Sequence, residues 1–199
     1  MDLTRPAAPG APDVGGAAQS SAETDDSIAR QARVDRAAFG ELYLRHRDAV
    51  FGYLRARTTS DDDALELTAI AFERALFGID RYAPRGAGFR AWLFRIARNA
   101  AVDDSRRRRR FAECTVAAAL ECLVADDRPG PDVAAAQADD VRRVRAAIAT
   151  LGNAQRDALG LRFGAGLSAR EIGAVINKRE AAVQKLIERA IDRLREVLG

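Results

Sequence analysis

The chain contains 199 residues with a formal net charge of +3 at pH 7, a length that accommodates one domain or two small ones. It has no apolar run near the roughly 20 residues that a membrane-spanning helix needs and no signal-peptide core, so we expect a cytoplasmic protein without membrane contact. Its two cysteines, Cys114 and Cys122, and its single histidine, His46, form no recognisable motif, so we expect reduced thiols and neither a metal nor a cofactor.

Charge is distributed unevenly along the chain. Residues 28–111 carry 18 arginines and 11 acidic residues, a net charge of +7, and residues 138–199 carry 12 basic and eight acidic residues, a net charge of +4. Residues 1–27 and 112–137 each have a net charge of −4. Two basic blocks separated by an acidic connector suggest two modules that contact one polyanion.

Residues 1–27 lack hydrophobic periodicity and large side chains, so we predict a disordered tail. A helical pattern begins near Asp35. The residues on its apolar face are Phe39, Leu42, Tyr43, Val50, Tyr53 and Leu54. Residues 58–60 break this pattern, and the aspartates at 61–63 then place negative charge where a helix N-terminus favours it. The second helix should end near Gly78. Its predicted buried residues are Leu65, Ala69, Phe72, Ala75 and Leu76.

A loop that contains proline and glycine, residues 80–88, leads into a third predicted helix, Phe89–Arg110. Its apolar stripe consists of Phe89, Trp92, Leu93, Ile96 and Ala100, spaced three and four residues apart. The other faces carry arginines, and the helix ends in five of them, residues 106–110. Because the planar guanidinium binds phosphate bidentately and stacks on bases, the pattern favours nucleic-acid binding. The alternative is an ordinary core helix with a solvated basic face.

The segment that follows is less regular. A short helix is possible for residues 111–123, and residues 126–132, with two prolines and a glycine, are expected to form a flexible linker. Helical periodicity resumes at Asp139, and a further helical segment is predicted for Ala154–Phe163. No stretch of useful length alternates with a two-residue period, so we predict an all-α protein.

The C-terminal part has the spacing of a helix-turn-helix. Ser168 and Glu171 match a capping box, which places a short helix from Ala169 onward. Residues 177–179 then form a tight break before a longer helix that runs to about Leu198. The residues that this longer helix would present to a DNA groove are Arg179, Gln184, Lys185, Glu188 and Arg189. An αα-hairpin within a helical bundle has the same spacing and is the alternative.

These motifs together resemble the extracytoplasmic-function sigma factors of bacterial RNA polymerase. The matching segments are F-x-x-L-Y-x-x-H at Phe39–His46, A-L-E-L-T-A-I-A-F at Ala64–Phe72, F-R-A-W-L-F-R-I-A-R-N-A-A-V-D at Phe89–Asp103, Q-R-D-A-L-G-L-R-F at Gln155–Phe163, G-L-S-A-R-E-I at Gly166–Ile172 and R-A-I-D-R-L-R at Arg189–Arg195. The resemblance implies two small helical domains, region 2 at residues 28–111 and region 4 at residues 138–199, joined by a flexible linker at residues 112–137.

The resemblance also implies three binding surfaces. The second helix would bind the β′ subunit of core polymerase through Leu65, Glu66, Thr68, Ala69, Phe72 and Glu73. The loop and third helix would capture a flipped base and hold the opened strand of the −10 element through Arg81, Tyr82, Phe89, Arg95, Arg98, Asn99, Arg106, Arg107 and Arg109. The helix-turn-helix would read the −35 element through Ser168, Arg179, Gln184, Lys185 and Arg189.

The implied function is promoter recognition and DNA opening, with core polymerase (β′ and β), promoter DNA and an anti-sigma factor as partners. Two other functions remain open: a mimic that titrates an anti-sigma factor, and a plain helix-turn-helix regulator. An enzyme is not expected, because no metal-ligand cluster, phosphate-binding glycine loop or nucleophile–base pair is evident.

Overall fold

The computed structural model describes residues 15–58, 60–84, 86–116, 143–144, 146–148 and 150–199. Over these ranges the chain forms helices and turns without a strand, which confirms the all-α prediction. The helices are α1 (Gly15–Ala32), α2 (Phe39–Arg55), α3 (Asp61–Gly78), α4 (Gly88–Val116), α5 (Asn153–Leu159), α6 (Ala169–Ile176) and α7 (Glu180–Leu198). A π-helical turn, Gly160–Gly164, continues α5.

Helix α1 contradicts the predicted tail, which is wrong from Gly15 onward; residues 1–14 lie outside the described ranges. The helix adds Ile28, Ala29 and Ala32 to the core, which is too little apolar surface to give a clear hydrophobic pattern. It is also held by a buried carboxylate, Asp25, which lies 2.7 Å from Nε2 of His46 and 3.2 Å from a guanidinium nitrogen of Arg45. Such polar contacts leave no trace in hydrophobic periodicity.

Helix α3 is rotated relative to its predicted orientation. Its buried residues are Ala64, Leu67, Thr68, Ala71, Phe72 and Ala75. Leu65 and Ala69, predicted to be buried, are exposed, and Leu65 retains 57% of its accessible surface. The small alanines pack α3 closely against its neighbours but contribute little hydrophobicity. The hydrophobic pattern therefore placed the larger Leu65 on the buried face, where it does not lie. The predicted start is confirmed: the Ser60 side chain caps the helix by accepting a hydrogen bond from the Asp63 amide at 3.1 Å.

Helix α4 is longer than predicted. It passes through Arg110 without a break and continues to Val116, so residues 111–116 belong to it rather than to a separate short helix. The rest of that predicted helix and the predicted linker, residues 126–132, lie outside the described ranges. Phe89, Leu93 and Phe94 are fully buried, whereas Trp92 and Ile96 of the predicted stripe are half-buried at its edge.

The helix-turn-helix forms as predicted. Ser168 accepts a hydrogen bond from the Glu171 amide at 3.2 Å, and the Glu171 carboxylate accepts one from the Ser168 amide at 2.8 Å, which completes the capping box. The turn after α6 passes through Asn177 in the left-handed conformation, with φ of 55°. A Cβ on Gly173 would lie 2.5 Å from the carbonyl oxygen of Lys178, so this close turn requires glycine.

The N-terminal and C-terminal helices share one hydrophobic core. Leu161, Leu167 and Ile172 belong to the same buried cluster as Phe89 and Phe94. The two predicted modules are therefore packed against each other, and α6 lies against α4.

Candidate nucleic-acid and partner interfaces

The arginine run at the end of α4 is not uniform. Arg107 and Arg108 bind the buried carboxylate of Asp104 at 2.9 and 2.7 Å, and Arg108 also binds Asp63 at 2.6 Å. The hydrogen bonds to Asp63 and Asp104 raise the pKa of Arg108 above its ordinary value. Arg106 and Arg109 are exposed and form no ion pair within the described ranges. Arg106 and Arg109, two of the predicted −10 contacts, are therefore available to phosphate, as is the exposed Arg110, whereas Arg107, predicted as a −10 contact, is already bound to a carboxylate.

Arg95 and Asn99 are exposed on the same helix, and Arg81 is exposed just before the loop that leads into it. Arg106 and Arg109 also line a shallow cavity of about 510 Å³ together with Asp103 and Arg110. Of the residues predicted to hold an opened strand, Arg95, Asn99, Arg106 and Arg109 therefore lie at the surface of α4.

The two aromatic rings assigned to base capture are not at the surface. Tyr82 is 3% exposed and Phe89 is fully buried. Their ring centroids are 5.7 Å apart, and both rings contact Trp92, at 5.1 and 5.6 Å. The rings pack edge to face or tilted against each other, as aromatic clusters in protein cores do. Neither ring therefore presents a face to a base in this structure, and the assignment of Tyr82 and Phe89 to the −10 site stays a prediction.

Asp26, which the sequence pattern did not indicate, holds this loop. Its Oδ1 atom accepts hydrogen bonds from the Tyr82 hydroxyl at 2.6 Å and from the Phe89 amide at 2.7 Å. Burial, followed by the hydrogen bond to Asp26, raises the pKa of the Tyr82 hydroxyl. The acceptor is far away in sequence, within a segment of low hydrophobicity, so no local signal could have identified it.

Arg98, predicted to hold DNA, is bound to the C-terminal helices instead. Its Nε donates to Asp157 at 2.8 Å, and Asp157 is 1% exposed. The same carboxylate lies 2.5 Å from a guanidinium nitrogen of Arg57 and accepts a hydrogen bond from the Tyr53 hydroxyl at 3.3 Å. Arg90 of α4 also donates a hydrogen bond to the C-terminal half, to the Ala165 carbonyl. Asp157 thereby ties α2 and α4 to α5.

The helix-turn-helix presents its predicted −35 residues on the outside. Arg179, Gln184, Lys185 and Arg189 are exposed, whereas Val183 of the same helix is buried. The hydroxyl of Ser168, the fifth predicted residue, is engaged in the capping box and donates to Glu171 at 2.8 Å. Its role is therefore to begin α6, and α7 carries the face that could enter a groove.

The predicted polymerase-binding residues divide into two groups. Leu65, Glu66, Ala69 and Glu73 are exposed on α3. Thr68 and Phe72 are buried, and the Thr68 hydroxyl donates to the Ala64 carbonyl of its own helix at 2.7 Å. The Thr68 hydroxyl is therefore engaged within its own helix, and Phe72 retains only 4% of its accessible surface.

An apolar groove extends the exposed face of α3. It has a volume of about 560 Å³ and is lined by Arg36, Phe39, Gly40, Tyr43, Phe72, Glu73, Leu76 and Phe77. Phe77 is 73% exposed and Tyr43 is 40% exposed. The sequence pattern had placed Tyr43 in the core and did not single out Phe77, whose exposure follows from its position out of phase with Ala71 and Ala75.

The described ranges contain no group of three or more histidine, cysteine, aspartate or glutamate residues that could hold a metal ion. Within those same ranges, no helix has the length and apolar character needed to cross a membrane.

Comparisons with known proteins identify the family of two segments of the chain. Family models match residues 42–111 as sigma-70 region 2 and residues 147–196 as sigma-70 region 4. The ECF RNA polymerase sigma factor BldN of Streptomyces coelicolor is 34% identical, with 89% of this chain and 69% of BldN covered. The RNA polymerase sigma factor CnrH of Cupriavidus metallidurans is also 34% identical, over 88% of this chain and 95% of CnrH.

A solved structure has the same fold. The structure of CnrH in complex with the cytosolic domain of CnrY superimposes with a TM-score of 0.66 at 27% identity, covering 87% of this chain and 96% of that chain. Helix α1 lies outside both segments that the family models match.

Proposed function

Because the chain belongs to the extracytoplasmic-function group of bacterial RNA polymerase sigma factors, we propose that it directs core polymerase to promoters and assists DNA opening without catalytic activity of its own. It would act in the cytoplasm, where core polymerase and promoter DNA are found. The observation that carries the proposal is that Arg106 and Arg109 of α4 are exposed and form no ion pair within the described ranges, on the same molecule as a helix-turn-helix with an exposed basic face.

In this proposal α4 holds the opened −10 strand. Arg95, Asn99, Arg106 and Arg109 bind its phosphates and bases, since each is exposed. Arginine grips phosphate through two parallel hydrogen bonds, and the single strand offers phosphates without the stiffness of a duplex. Arg107 contributes less, because Asp104 already neutralises it.

The helix-turn-helix reads the −35 element through α7. Gln184 and Lys185 lie in its first two turns, which is where a recognition helix contacts base edges, and Arg179 lies at its N-terminus. Arg189 lies a turn further along and beside Asp192 and Glu196, so its contact with phosphate is the weaker one.

Core polymerase would bind the exposed face of α3 together with the apolar groove. Leu65, Glu66 and Glu73 supply the polar and apolar rim, and Phe77 and Tyr43 supply aromatic surface of the kind that dominates binding energy at interfaces. A protein that shares this surface would compete with polymerase. CnrH has been solved with the cytosolic domain of CnrY, and we infer by similarity that an anti-sigma factor binds this chain too.

The test compares two double variants with the same change in net charge. Arg106→Ala/Arg109→Ala removes two exposed cations of α4 that form no ion pair within the described ranges, and it retains good helix formers. Arg47→Ala/Arg195→Ala removes two exposed arginines that pair with Asp48 and Asp192 elsewhere on the surface. The measurement is the binding of each holoenzyme to a premelted promoter across a salt series.

The first variant should reduce the slope of log affinity against log salt by about 1.4, at roughly 0.7 for each lost single-strand phosphate contact. The control variant should leave the slope unchanged. Equal slopes for all three proteins would contradict the proposed strand contact and would favour a mimic, which needs the shape of the face but not its charge.

A further inference from the structure

A single carboxylate oxygen fixes both ends of the loop that precedes α4. Asp26 Oδ1 accepts hydrogen bonds from the Tyr82 hydroxyl and from the Phe89 amide, at 2.6 and 2.7 Å. Tyr82 directly precedes the exposed residues Ala83 and Pro84, and Phe89 follows the exposed Gly86 after two half-buried residues. The distance between the two ends is therefore set by an atom of α1, a helix outside both matched sigma-70 segments.

The hydrogen bond from the Phe89 amide to Asp26 also stabilises the first turn of α4. The first amides of an α-helix have no partner within the helix, and a carboxylate at this end is favoured by the helix dipole. Asp26 satisfies one of these amides from a distant part of the chain. Gly88, between the two anchored residues, has a φ of +72°, and a Cβ at this position would lie 3.4 Å from Asp26 Oδ1. The backbone of the loop end is thus fitted to the carboxylate.

Asp26 is held in place by the residue before it. Asp25 is 1% exposed and binds His46 and Arg45 of α2, at 2.7 and 3.2 Å. The two adjacent acidic side chains therefore have separate partners. Asp25 attaches α1 to α2, and Asp26 attaches the loop to α1. This support is rigid, since Ile28 and Ala29 of the same helix are buried in the core.

Between the anchors, the loop exposes Ala83, Pro84 and Gly86, and Arg81 is exposed just outside them. The buried rings of Tyr82 and Phe89 cannot present a face to a base, so they act as the frame of the loop. We propose that Asp26 is a positioning residue for −10 recognition: its carboxylate sets the loop shape in which these exposed residues receive an unstacked base. This role rests on the proposed function, and the carboxylate itself does not touch DNA.

The experiment uses holoenzyme and a fluorescent single-stranded oligonucleotide. The oligonucleotide carries the non-template −10 sequence of a promoter that the wild-type holoenzyme transcribes, and matched oligonucleotides replace each base in turn with an abasic site. Asp26→Ala removes both hydrogen bonds, and Tyr82→Phe removes one while keeping the ring. Asp48→Ala is the control, because it removes one acidic charge from an exposed site on α2.

Wild type should bind the intact oligonucleotide more tightly than the oligonucleotide whose abasic site lies at the position that the loop reads. Asp26→Ala and Tyr82→Phe should lose about tenfold of this preference, the size expected for one or two hydrogen bonds to a charged group. Affinity for the abasic oligonucleotide and for core polymerase should stay the same, which a general loss of structure would not allow. The double variant Asp26→Ala/Tyr82→Phe should lose no more of this preference than Asp26→Ala alone, because both changes remove the same hydrogen bond between Asp26 and Tyr82.

The outcomes separate the two proposals. A preference retained by both single variants overturns the positioning role and leaves the proposed function intact. A wild-type holoenzyme that binds intact and abasic oligonucleotides equally overturns base capture by the loop and with it the positioning role, whereas the phosphate contacts of the proposed function are tested separately by the salt series. Should Asp26→Ala lack a cooperative thermal transition, Tyr82→Phe decides alone: its loss of preference at an unchanged melting temperature supports the role, and its retention overturns it.

Discussion

At the scale of single residues, Gly173 shows how closely the turn of the helix-turn-helix is packed. A Cβ here would approach the Lys178 carbonyl to 2.5 Å, and this oxygen belongs to backbone that cannot rotate away. We expect Gly173→Ala to lower the free energy of unfolding by about 1–3 kcal/mol through overpacking, although alanine in a helix normally gains about 1 kcal/mol over glycine. Urea denaturation measures the change.

The matched control for this prediction is Gly52→Ala in α2, where a Cβ would meet nothing within 4 Å. This variant should be more stable than wild type by up to about 1 kcal/mol, because only helix propensity changes. Equal stabilisation by both variants would show that the turn relaxes and that residue 173 does not need to be glycine.

At the scale of elements, α3 divides cleanly into a face that packs and a face that is free for a partner. Glu66 lies on the exposed face, so Glu66→Lys should change the free energy of unfolding by less than about 0.5 kcal/mol. A reversed charge at a protein interface costs several kcal/mol when it meets a like charge, so affinity for core polymerase should fall at least about tenfold. A pulldown titration with core enzyme measures the affinity.

Glu196→Lys, which makes the same charge change on α7, is the control and should bind core polymerase as wild type does. Unchanged affinity in Glu66→Lys would remove the exposed face of α3 from the interface and leave the apolar groove around Phe77 as the remaining contact.

The elements also show which parts of the fold could be predicted from sequence. Helices α6 and α7 begin and end where predicted because their signals are local: the Ser168–Glu171 capping box and the left-handed Asn177 act within a few residues. Helix α1 could not be predicted, because its docking depends on Asp25 reaching His46 21 residues away. For α3, the buried positions of Phe72 and Ala75 were predicted correctly and those of Leu65 and Ala69 were not, because three of its six buried residues are alanines that give little hydrophobic signal.

At the scale of the whole molecule, Asp157 is the main polar link between the N-terminal and C-terminal helices. The exposed arginines of α4 could be predicted from composition, but the ion pair between Arg98 and an acid 59 residues away could not.

Asp157→Ala should separate the two halves, because Arg57 and Arg98 would otherwise remain partly buried without a partner, at a cost of about 3–5 kcal/mol. We expect a larger radius of gyration in small-angle scattering and tighter binding of single-stranded DNA.

Asp103→Ala is the control for this variant, since Asp103 also pairs with an arginine but at an exposed site, with Arg74. It should leave the radius of gyration unchanged. A compact Asp157→Ala protein would mean that the shared hydrophobic core alone holds the halves together.

If the opened strand contacts Arg98, as the sequence predicts, the shared carboxylate of Asp157 would also make DNA affinity depend on a conformational population. Single-stranded DNA that needs Arg98 binds only the fraction of molecules in which Asp157 has released it, so the apparent affinity is the intrinsic one multiplied by that fraction. If about 1% of free molecules are open, DNA binds about 100-fold more weakly than the site itself allows. Core polymerase that selects the open form would restore this factor without touching DNA, and by linkage bound DNA would strengthen polymerase binding to the same extent.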